Sequence, residues 1–141
     1  MITSDKQYAA SREQLTMLRE SLFVENDKTI PEIIKSASKD QLKNLIAEVQ
    51  AAIDEYEKLK SIKLEELEIH SIQDLIVTPI RYRIVSHMSV DAFSRKVGVS
   101  ARQIHRYEAE NYSNVNASTL TKILEKLDVN LDGHVSSLTT E

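Results

Sequence analysis

Cysteine is absent from the 141 residues, and glycine and proline occur only twice each. Without cysteine there is no disulfide, no thiolate nucleophile and no cysteine-based zinc site, which accords with a reducing cytoplasm. Two glycines and two prolines permit few sharp turns, so long helices joined by short polar links are expected. No strongly alternating apolar run argues for a sheet. No apolar stretch approaches the ~18 residues of a membrane helix, and no charged-then-apolar leader opens the chain. A cytoplasmic protein that neither spans a membrane nor is exported is therefore expected. Catalytic signals are equally scarce. His70, His87, His105 and His134 lack the spacing of a metal motif, and Gly98 and Gly133 build neither a dinucleotide fingerprint nor a P-loop. The acidic pairs Glu65-Glu66 and Glu55/Glu57 sit in ordinary charged helical runs and read as solvated faces. No metal, no cofactor and no enzymatic activity are expected.

What is present is helical periodicity. Hydrophobic residues make up 41% of the chain, enough for the core of one compact domain or two small ones. Ser4 and Gln7 form a capping-box pattern, after which Tyr8, Leu15, Leu18 and Leu22 recur at helical spacing to about Val24. Asn26-Asp27-Lys28 predicts a break. Thr29, Pro31 and Glu32 predict a short helix to about Ser36, and Ser38 with Gln41 predicts a fresh start. From there Leu42, Leu45, Ile46, Val49, Ala52, Ile53, Tyr56 and Leu59 step by three or four along one apolar face. That stripe has two readings. It can close on the first helix as internal core, or, since about 60 residues in two or three helices make a marginal core alone, it can hold a second copy or another protein. The candidate dimer or partner face is Leu42, Leu45, Ile46, Val49, Ile53 and Tyr56. We read residues 1–70 as a helical dimerisation or partner-binding unit, its last dozen residues forming the connection.

Residues 71–141 read as a second unit. Ser71 and Asp74 mark a brief turn, and Thr78-Pro79 a helix N-cap followed by N1. Ile80, Ile84 and Val85 would face inward, with Arg81 free to reach a phosphate. Ser89 caps the next helix, whose buried face is Ala92, Phe93 and Val97, and Gly98 supplies a permissive backbone for a tight turn. Ser100 caps the helix after it. Stepping about 100° per residue from Ile104 puts Tyr107 and Glu108 near the Ile104 side and Arg102 and Arg106 on the opposite stripe. A helix, a turn and a second helix with outward arginines is the layout of a DNA reader, because arginine bonds bidentately to guanine in the major groove. Asn116 or Ser118 then caps a last helix whose Leu120, Ile123, Leu124 and Leu127 close the core.

Residues 79–132 resemble the Cro/C1-type helix-turn-helix family, through Arg95-Lys96-Val97-Gly98-Val99-Ser100 followed by Ile104 and Glu108. The resemblance implies an all-α chain in which a λ-repressor-like domain follows the helical N-terminal unit. It implies base contacts from Ala101, Arg102 and Arg106, with Gln103 and His105 beside them. Phosphate contacts would come from Ser89, Val90 and Ser100 and from the loop residues Tyr112, Ser113 and Asn114. Val90 departs from the glutamine common in the family, so a contact there falls to its backbone N–H or to Ser89. A dimer reading a palindrome, with half-sites about one helical turn apart, is the implied partner arrangement.

The net charge is −4, unevenly spread. Residues 1–74 hold 10 basic and 15 acidic side chains, residues 75–112 six basic and three acidic. A weakly basic reader on an acidic chain gains little phosphate attraction per subunit, which favours dimerisation. The layout, with Ile2-Thr3-Ser4-Asp5-Lys6-Gln7-Tyr8, Tyr56-Glu57 and Pro79-Ile80, also resembles the host-inhibition-of-growth antitoxins. These are dimeric autorepressors that neutralise a small basic ribonuclease toxin. The alternative is a stand-alone Cro/C1-type regulator with no toxin partner.

Overall fold

The computed structural model describes residues 1–23 and 32–139, without the side chains of residues 32–34. Among the described residues the chain is all-helical, with seven α-helices, one 3₁₀ turn and no strand. Two compact units divide it, Met1–Ser61 and Ile62–Glu141.

The first unit pairs α1 (Asp5–Ser21) with α2 (Glu32–Ser61). Ser4 caps α1 by accepting from the Gln7 amide, and the Gln7 side chain reaches past Ser4 to accept from the Thr3 amide at 2.8 Å. The helices run antiparallel. Tyr56 donates to Asp5 and Tyr8 donates to Glu57 at one end, while Arg19 meets Gln50 at 2.7 Å further along. The Tyr8 and Tyr56 rings lie 5.3 Å apart. Leu15, Ile53, Tyr56 and Leu59 are buried there together with Ile2.

This arrangement divides the apolar stripe of α2. Ile53 and Tyr56, expected on a dimer or partner face, are spent inside the unit, because α1 covers that part of α2. Leu42, Ile46 and Val49 are half-buried, and Leu45 retains 39% exposure. The break expected at Ser38 is also absent: α2 passes through Ser36 and Ser38 without interruption. A serine start signal does not end a helix when neither glycine nor proline stands near it, and serine costs little mid-helix. The break at residues 26–28 and the start at Thr29 lie outside the described residues.

The second unit comprises a 3₁₀ turn (Leu64–Glu66), α3 (Ile72–Ile76), α4 (Thr78–Val85), α5 (Val90–Val97), α6 (Ala101–Ala109) and α7 (Ala117–Lys126). Ser71 caps α3 by accepting from the Asp74 amide. Thr78 is not the N-cap of α4. Val77 holds that position, and the Thr78 hydroxyl instead donates back to the Asp74 carbonyl at 3.0 Å, joining α3 to α4 almost end to end. Ser89, Ser100 and Asn116 each cap a helix through the side chain. Ile80, Phe93, Ile104, Tyr112 and Ile123 are essentially inaccessible and form the centre of the core. The isoleucines and Phe93 are each worth about 1.5–3 kcal/mol by burial alone.

Candidate nucleic-acid interface

Helices α5 and α6 are joined at Gly98, whose φ of +71° lies in the left-handed region that glycine adopts without cost. The Gly98 and Val99 amides both bond the Ser94 carbonyl, at 2.9 and 3.2 Å, which ends α5 tightly. Ser100 then opens α6, its hydroxyl oxygen accepting from the Gln103 amide at 3.2 Å. An accepting hydroxyl keeps its own hydrogen, so Ser100 and the equally placed Ser89 can each still donate to a phosphate. The half-buried Val90 is the first residue of α5, and its N–H is one of those a helix start leaves without an intrahelical acceptor.

The two faces of α6 differ sharply. Ile104 and Glu108 are buried, whereas Arg102, His105 and Arg106 are exposed and Ala101 and Gln103 half-buried. Neither Arg102 nor Arg106 has an ion-pair partner among the described residues. All five residues expected at the bases thus lie on one short helix, with the two arginines one turn apart on its outward side.

Three expectations require correction. Arg81 is not free: its guanidinium pairs with Asp74 at 3.0 Å and is only 20% exposed. The His70 amide, and after it Arg81, hold the Asp74 carboxyl below its usual range. Tyr112 cannot offer its hydroxyl to a phosphate, because the residue is 1% exposed and its ring packs at a tilt against Tyr107, centroids 5.4 Å apart. Asn111 and Tyr112 have φ of +52° and +59°, and this left-handed pair turns the ring inward. Ser113 and Asn114 remain exposed, although the Asn114 amide donates to Glu110 at 2.8 Å. Arg83, counted in the basic excess, is buried. Its Nε and Nη2 donate to the two Glu108 oxygens, both at 2.7 Å, and Nη1 donates to the Met88 carbonyl at 3.1 Å.

The Arg83–Glu108 pair was missed in the sequence, yet a signal exists. Glu108 falls on the apolar side of α6, and a buried carboxylate demands a cation. The bidentate geometry ties α4 to α6 and fixes the orientation of the outward arginines. With Arg81 and Arg83 neutralised, the cations left on the exposed surface of α5 and α6 are Arg95, Lys96, Arg102 and Arg106. Lys96 lies over the Tyr82 ring at 5.4 Å and donates to its hydroxyl.

Residues 81–134 match the helix-turn-helix family model. The match begins in α4 and runs beyond α7, enclosing both helices of the motif and the Arg83–Glu108 pair. It supports a DNA-binding transcription regulator of the Cro/C1 type. No curated protein and no solved structure matches the chain in the parallel comparisons. Among the described residues no cluster of histidine and carboxylate groups could hold a metal, and no helix is long and apolar enough to cross a membrane.

Proposed function

We propose that the helix-turn-helix module reads a specific operator by laying α6 in the major groove, and that the protein represses transcription as a homodimer on a palindrome. The carrying observation is the exposed Arg102 and Arg106, without an ion-pair partner among the described residues, on a helix whose opposite face is locked to the core by Ile104 and Glu108. Replacing either arginine by alanine is expected to weaken operator binding by roughly 1–3 kcal/mol and to relax preference at one base pair. Titration of a selected operator and its single-base variants checks this. Unchanged affinity for both variants rejects the assignment of α6.

Within this reading the protein is an autoregulatory antitoxin of a toxin–antitoxin pair. The acidic character of residues 1–74 and the accessible Leu42–Val49 part of the α2 stripe favour a basic protein partner, a small ribonuclease. The alternative remains a regulator that needs only itself. A small basic reading frame beside this one, whose product co-purifies with the protein and loses its toxicity, selects the antitoxin. Purification of a functional repressor with no such neighbour selects the stand-alone regulator.

A further inference from the structure

The second unit contains a groove of about 550 Å³ that DNA reading does not use. One wall is the segment from the 3₁₀ turn to α3, the other the stretch after α7, and Thr78 and Arg81 of α4 line it as well. Its apolar surface comes from Leu64, Leu67, Ile69, Val129 and Leu131, of which Ile69 and Leu131 stay 40% and 41% exposed. Its charges are unbalanced. Arg81 is matched by Asp74 at 3.0 Å, and the His70 ring hydrogen-bonds Glu68 at 2.8 Å. Glu65, Asp128 and Asp132 have no cationic partner among the described residues.

An apolar concavity of this size, with a few converging charged groups, has the character of a small-molecule site. Net negative charge at an apolar surface selects a ligand carrying a cation on a hydrocarbon body. We propose that this groove binds an amphiphilic organic cation, an alkyl- or aralkylammonium, with its hydrocarbon against Leu64, Leu67, Ile69, Val129 and Leu131. The ammonium donates to Glu65, Asp128 or Asp132. The ligand then lies against the Asp74–Arg81 pair at the start of the DNA-binding module.

The test uses the full chain and three probes of equal length: n-hexylammonium, hexanol and hexanoate. Amide chemical shifts are followed by NMR. Hexylammonium should saturate, with shifts concentrated in residues 64–74 and 128–132, while hexanol binds about tenfold more weakly for want of a charge-assisted bond and hexanoate does not bind. Of Glu65→Gln, Asp128→Asn and Asp132→Asn, exposed changes with no packing cost, at least one should weaken hexylammonium several-fold, and none of them doing so overturns the proposal. Leu131→Ser should weaken hexylammonium and hexanol alike. Equal binding of the three probes, binding that does not saturate, or shifts elsewhere in the chain overturns the proposal.

Discussion

Tyr112 carries a hydroxyl into the core, where it finds no hydrogen-bond partner among the described residues. Burial first, and the Glu108 carboxylate second, push its phenol well above the ordinary range. The folded chain therefore keeps this phenol protonated at pH values where the unfolded chain ionises it, near pH 10. Its contribution to stability is complete below that value and drains away as the pH rises above it. Tyr112→Phe should stabilise the protein by roughly 1 kcal/mol in urea denaturation at neutral pH, because it removes an unsatisfied donor from the core. It should also lessen the alkaline loss of stability. A destabilised variant would show that the hydroxyl has a partner. At this scale the sequence was legible where a residue's role follows from its own helix. Ile104 and the outward arginines were placed by 3.6-residue periodicity. The role of Arg83 depends on a carboxylate 25 residues away, and that of Tyr112 on two left-handed backbone angles, which no local pattern encodes.

Helices were legible where their boundaries are chemically marked. Ser89, Ser100 and Asn116 each stand before an apolar face and bond the backbone as caps, so α5, α6 and α7 begin where their sequences indicate. Ser38 carries the same mark without ending the helix it sits in, and Thr78 turns its hydroxyl back to Asp74. Capping residues permit a boundary; whether the preceding turn continues depends on packing and on breakers such as Gly98. That glycine provides the element-scale test. A Cβ at Gly98 meets nothing within 4 Å, so Gly98→Ala isolates the cost of a left-handed backbone from any clash. The variant should lose roughly 1–2 kcal/mol of stability, measured by urea denaturation. Its operator affinity should fall as well if the turn relaxes and α6 tilts. No loss of stability would mean that the turn tolerates an alanine without strain.

Across the whole molecule, the long apolar stripe serves the first unit's own core at Ile53, Tyr56 and Leu59, while Leu42, Ile46 and Val49 are half-buried and Leu45 is exposed, which keeps this part of the stripe as the proposed association face. The division was not readable from α2 itself, because all eight positions follow the same spacing. On the proposed dimer, sedimentation should show the unaltered protein as a dimer and Leu45→Lys as a monomer at the same concentration, with helical content unchanged. A variant that stays dimeric places the interface elsewhere. The Arg83–Glu108 pair has a further consequence for the module, concerning ionic strength. Contacts between exposed arginines and phosphates weaken steeply as salt displaces protein from the DNA counterion atmosphere. A bidentate pair shielded from solvent is screened far less. Raising salt should therefore release the DNA well before it softens the module, leaving the helical and tyrosine circular dichroism unchanged through the dissociation range. On the proposed reading, affinity and shape are thus held by charges of the same kind in different surroundings, and the protein can leave DNA while remaining ready to bind again.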